Sequence, residues 1–280
     1  IILSYIYKNE NYIYENNLFN VNNIKIEKKI KITNDTLANQ AIKKGFNQLI
    51  KKILLKEDFD SISKLSFPEI KQLVSYYQIS NISDKEKKEE LVNFSVTFDK
   101  EKIHNLFYKR GLSYSEILDK ELYILPVFIN DEEVFIFNNN FFYENWNKIH
   151  KNELIEFILP LEKIEIIQNI NTYKNDLINI DIGNLFEEYQ NKNLAFVLIE
   201  TNKKGNAKVY IKARIQEKNI SKSLVLQKQK QSNSSNYKNI IIETNNELID
   251  LVKSRNLIDI RTPSFLNAKF NINKKNNLVE

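Results

Sequence analysis

Cysteine is absent from all 280 residues, which excludes disulfides, thiolate metal sites and thiol nucleophiles together. It also leaves the redox compartment unmarked. Methionine is missing as well, even at position 1, so the reading is of a chain that starts downstream of its true beginning. Glycine occurs only at positions 45, 111, 183 and 205. A phosphate cradle needs clustered glycines so that successive backbone N–H groups converge on an anion, so a Walker loop and a dinucleotide fingerprint are excluded. The nucleophile elbow is missing too. No stretch reaches the roughly 18 to 20 apolar residues that a membrane-spanning helix needs, so no transmembrane segment is expected. Residues 1–7 are apolar enough to be the tail of a secretory h-region, without a small-residue cleavage site after them.

Lysine, asparagine and isoleucine dominate what is there, a bias of the kind that A/T-rich coding produces. Apolar residues make up 42% and charged residues 28%, the proportions of a globular protein, and the length suits two or three domains. The formal charge of +5 comes from 41 basic against 36 acidic residues. A nucleic-acid binder concentrates its excess and favours arginine for bidentate phosphate contacts. Neither feature is present, and no nucleic-acid partner is expected.

Hydrophobic spacing supplies the fold. Residues 34–55 carry Ala38, Ala41, Ile42, Phe46, Leu49, Ile50, Ile53 and Leu54 at the three- and four-residue steps of one helical face. Asn34 or Asp35 is placed to cap that helix, and Gly45 on its buried face implies close approach to a sheet. A strand with Val21, Ile24 and Ile26 precedes it. After it come a short helix opened by Pro68, strands at 76–82 and 90–98 joined by the charged loop 83–89, and a helix between Asp99 and Gly111. In the second strand Val92, Phe94, Val96 and Phe98 share one face, the alternation of a half-buried strand.

A second unit opens with LYILPVFI, a run that predicts a strand covered on both faces, with a bulge or an edge at Pro126. Strands at 134–137, 154–159, 194–200, 209–215 and 224–226, alternating with helix near 161–170 and 184–190, predict a mainly parallel or mixed sheet. The turn 202–206 precedes the fourth of these strands. The Gln/Ser/Asn-rich tract 227–236 reads as an exposed linker. An apolar triplet at 240–242, a helix at 248–252, a strand near 265–270 and the start of a helix at 276–280 follow. The expectation is an α+β or α/β protein of two small sheet-plus-helix domains in tandem. These are a β-α-α-β-β-α domain at 18–115 and a mixed three-layer α/β domain at 120–228. A linker at 229–238 leads to an incomplete α+β unit at 239–280.

Candidate chemistry is sparse. His104 and His150 lack a second imidazole at ligand spacing, and His104 beside Ile103 reads as structural. The trio Asp131, Glu132 and Glu133 has the groups of a general acid and base or a hard-cation site, but adjacent residues on a tight turn splay apart. No catalytic residue, metal ligand or cofactor is therefore assigned. Phe141, Phe142, Tyr143 and Trp146 form the candidate interaction surface, with core or interdomain packing as the competing reading.

The stretches ANQAIKKGFNQLIKKIL, LVNFSVTFD, RGLSYSE, ELYILPVFI, FFYENWNK, FILPLEKIE and LFEEYQNKNLAFVLIE, spread over residues 20–201, resemble a bacterial envelope family, the domain of unknown function numbered twenty sixty-six. At greater distance the first domain resembles the amino-terminal domain of flagellar assembly protein T. The second resembles that of the Tol-system protein TolB. The resemblance implies a non-enzymatic or uncharacterised protein exported to the periplasm of proteobacteria, the distant relatives imply an assembly or scaffolding role, and a protein partner or self-association is the matching expectation. It supplies no catalytic residues. The chain departs from the family in its Asn/Lys-rich surface and in lacking a clear leader. The alternative is a small-ligand binder or enzyme with its site at the carboxyl ends of the second-domain strands, near Asn130 to Glu133 and Thr201 to Lys204.

Overall fold

The computed structural model describes residues 18–28, 33–82, 90–149, 154–201, 206–227 and 233–258. The first unit runs β1 (Asn20–Lys28), α1 (Asn34–Ile53), a 3-10 turn at Lys56–Asp58, α2 (Phe59–Ser63), α3 (Phe67–Gln72), β2 (Val74–Ile82), β3 (Glu90–Phe98), α4 (Lys100–Arg110) and the short β4 (Tyr114–Ser115). The cap of α1 is Thr33, one residue ahead of the expected pair. Its hydroxyl accepts from the Thr36 N–H at 3.3 Å. Asp99 caps α4 by accepting from the Lys102 N–H, and Gly111 ends it with φ 65°, the left-handed geometry that glycine adopts without cost. β1, β3 and β2 form an antiparallel sheet in that order. α1 lies across it, burying Ala41, Phe46 and Leu49 against Ile24, Phe94 and Val96. A Cβ on Gly45 would come within 2.8 Å of Ile24 Cδ1, so the missing side chain is what lets helix and sheet meet so closely.

The second unit contains β5 (Glu121–Asn130), β6 (Glu133–Phe135), α5 (Phe141–Ile149), β7 (Glu156–Ile158), α6 (Ile164–Thr172), α7 (Ile182–Leu185), β8 (Asn193–Thr201), β9 (Ala207–Ile215), β10 (Lys218–Leu226), α8 (Asn233–Arg255) and β11 (Leu257–Ile258). Its sheet has the order β10-β9-β8-β5-β6, with β7 also on β5. β5 runs parallel to β8 and β7 while the other pairs are antiparallel, so the sheet is mixed. Leu122, Ile124 and Phe128 pack on the side of α5 and α8. Leu125 and Val127 pack on the side of α6 and α7. The continuous apolar run follows from burial on both faces, and the helix-and-strand class matches the expectation.

Pro126 sits inside β5 for a local reason. β7 pairs only with residues 121–123 and β6 only with residues 128–130, which leaves an unpaired gap between them. The N and C=O of one strand residue face the same side, and the Pro126 carbonyl accepts from the Asn140 amide at 2.9 Å in that gap. The missing N–H therefore costs no ladder bond.

The linker expected at 229–238 is corrected over its second half, where α8 begins at Asn233. The triplet Ile240 to Ile242 belongs to the same helix, in which Ile240, Ile241, Leu248 and Val252 line one face that covers the second sheet. Serine and asparagine, weak helix formers, masked the first turns. Beyond α8, β11 returns to pair with β4 of the first unit. Residues 1–7, the loop 83–89, His150, the turn residues 202–205 and the expected elements at 265–270 and 276–280 lie outside the described residues.

Candidate interaction surface

β2 reads VSYYQISNI and carries no ionisable side chain except its two tyrosines. β3 pairs with its inner edge, Tyr77 opposite Val96 and Ile79 opposite Phe94. Among the described residues no strand pairs with its outer edge. Tyr77 and Ile79 point to the α1 side of the sheet, yet α1 lies over β1 and β3 and leaves them 42% and 46% exposed. Tyr76, opposite Thr97, points to the other face and is 53% exposed. A bulge at Ser75 separates Val74, which stays packed, from the regular stretch that follows.

The other edges are guarded. β1 carries Lys25, Glu27 and Lys28 and is bent by a bulge at Asn22 and Asn23, the latter at φ 58°. β10 carries Lys218 and Lys222, the second paired with Glu247 on α8. β6 and β7 have three residues each. Short length, charge and bulges are the usual means of keeping strand edges from pairing with other chains. Beyond its single bulge, β2 lacks them.

The aromatic segment, a candidate recognition surface with core packing as its competing reading, turns inward and packs. Phe142 and Trp146 are fully buried on α5, with Phe142 edge-on to Phe128 at 5.1 Å and Trp146 edge-on to Phe157 at 6.3 Å. Phe141 is half-buried against Tyr237 of α8 at 5.3 Å. The Tyr143 hydroxyl donates to the Pro160 carbonyl at 2.7 Å; burial, with Glu162 adding to it, pushes its pKa up. The cause is Asn140, which sequence reasoning missed. Its amide donates to the carbonyls of Pro126, Phe135 and Ile136, and its oxygen accepts from the Phe142 and Tyr143 N–H groups. Buried completely, it caps α5 and fixes the aromatic residues over the sheet. An asparagine one residue before an apolar-periodic run was the available signal.

The remaining candidates do not converge on one another. Asp131 and Glu132 occupy both central positions of the β5–β6 hairpin, at φ 47° and 71°, and their side chains are exposed. At the same end of the sheet the Thr201 hydroxyl donates to the Asn130 side-chain oxygen at 3.1 Å. Among the described residues no group of His, Asp and Glu could hold a metal ion. His104 stacks on Tyr114 at 4.6 Å with Phe19 edge-on at 5.5 Å.

A cleft of about 900 Å³ lies between the units, lined among others by Asn23, Lys52, Lys56, Ile249, Asp250 and Lys253. Its buried amine is already engaged. Lys253 donates to the carbonyls of Lys51 and Leu54 at 2.6 and 2.9 Å and lies 3.8 Å from Asp250. Burial pushes that amine below the usual lysine range while Asp250 opposes the shift. Burial likewise pushes Asp250 up, against Lys253 and the Lys56 N–H that it accepts. The amine thus satisfies carbonyls at the carboxyl end of α1 from a side chain on α8.

Comparison of the chain with family models, with curated proteins and with solved structures finds no match. Among the described residues no helix is long and apolar enough to cross a membrane.

Proposed function

We propose that this chain is a protein-interaction module that accepts a strand at the outer edge of β2, in an assembly or scaffolding role rather than a catalytic one. One observation carries the reading: a nine-residue edge that lacks charge and exposes Tyr76, Tyr77 and Ile79. Strand addition draws affinity from main-chain hydrogen bonds and specificity from alternate side chains. The envelope setting comes from the resemblance of residues 20–201, and the role implied there, periplasmic assembly, agrees with such an edge.

The test is photo-crosslinking in intact cells, with benzoyl-phenylalanine at Tyr77 and, as a control, at Val225 of β10. Adducts from position 77 alone, lost when Ile79 is also changed to lysine, are expected. Equal labelling from both positions, or none from position 77, defeats the proposal.

A further inference from the structure

We infer that the strand received by β2 is β2 of a second copy of this chain, in an antiparallel pair about a two-fold axis at Gln78. The inference rests on the strand-addition reading above and names its partner. Residue 78 is the midpoint of Val74–Ile82, so this register overlaps the two strands along their whole length.

The register is self-complementary. Tyr77 of one copy faces Ile79 of the other on both sides of the axis, two aromatic to β-branched pairs of the kind that stabilise antiparallel ladders. On the opposite face Gln78 meets its own counterpart, and a carboxamide both donates and accepts. A strand without charge has no like-charge clash when it meets itself, and offers nothing to select a charged foreign strand. The result is a six-stranded antiparallel sheet with α1 of each copy on one side.

Symmetry also limits the assembly. Pairing β2 with β2 uses both unguarded edges at once and closes. A head-to-tail alternative, β2 onto β1, would add copies without end, and Lys25, Glu27 and Lys28 with the Asn22–Asn23 bulge oppose it. Two strands alone bury area at the low end of specific interfaces, about 1,000 Å². The dimer is therefore expected at micromolar rather than nanomolar concentration.

The absence of cysteine from the chain makes the test direct. Residues facing each other across an antiparallel pair have Cα atoms about 4.5 or 5.5 Å apart, and both spacings fall within disulfide reach. Gln78→Cys of the full chain should form a covalent dimer on mild oxidation, and Val225→Cys on β10 should not. By sedimentation equilibrium the unmodified chain should be a reversible dimer, and Ile79→Lys should raise its dissociation constant about ten-fold or more. A monomer at about 100 μM, with no disulfide at position 78, overturns the second copy as partner. If position 77 still yields the Ile79-dependent adduct in cells, the strand-addition reading survives and only the partner is wrong. If neither dimer nor adduct forms, both fall.

Discussion

His104 shows how a single side chain sets acid sensitivity. Burial, and then the nearby Lys100, push its pKa below the ordinary histidine range, with Glu116 acting in the opposite direction. The folded state therefore prefers the neutral imidazole between Phe19 and Tyr114. The unfolded chain takes up a proton as pH falls through 6.5, so it binds more protons there and stability drops toward acid. His104→Phe keeps a ring in the stack and should flatten this part of the pH profile. Urea unfolding at about pH 7 and about pH 5 measures it, and an unchanged pH slope in the variant would sink the idea. At this scale the sequence was legible where the backbone alone decides. Gly45 points to a close approach and Gly111 to a helix end from sequence alone, and both are found. Asn140 was legible only as a helix cap, because its bond to the Pro126 carbonyl, 14 residues away, ties the helix start to β5, a partner that no local pattern displays.

Elements were legible in proportion to their periodicity. α1 and β3 present one clean face each, and both appear where the spacing put them. α8 reads in sequence as linker, apolar triplet and short helix, because polar residues dilute its buried stripe and only the covered sheet selects the helical phase. The Phe141–Trp146 segment is compatible with a surface or with packing from sequence alone, since aromatic content does not reveal which way an element faces until Asn140 fixes its start. The β5–β6 hairpin carries a test at the same level. Its central residues Asp131 and Glu132 sit at positive φ, where asparagine and glycine are far better suited. Replacing the pair with Asn-Gly relieves positive-φ strain and should stabilise the protein by about 1 kcal/mol, read from the midpoint of urea unfolding. A loss of stability would show that the acidic side chains themselves hold the turn.

For the whole molecule, one buried contact joins α8 to the end of α1. Lys253 is buried, and its amine serves two helix-terminal carbonyls and a carboxylate at once. Lys253→Met keeps the length of the side chain and removes every donor, so it should cost about 2–3 kcal/mol through carbonyls left without a partner. Denaturant unfolding measures this, and an effect under about 0.5 kcal/mol would mean that the contact is incidental. The charge-free β2 edge belongs to this scale as well, since an unguarded strand can be recognised only once the neighbouring edges are known to be guarded. Sequence order delays the contact at Lys253. Synthesis proceeds from the amino end, and the carbonyls of Lys51 and Leu54 precede their donor by 202 and 199 residues. The first sheet and its helix are thus synthesised long before the amine that completes them, and until then α1 keeps an open carboxyl end, the stage at which a chaperone has most to shield.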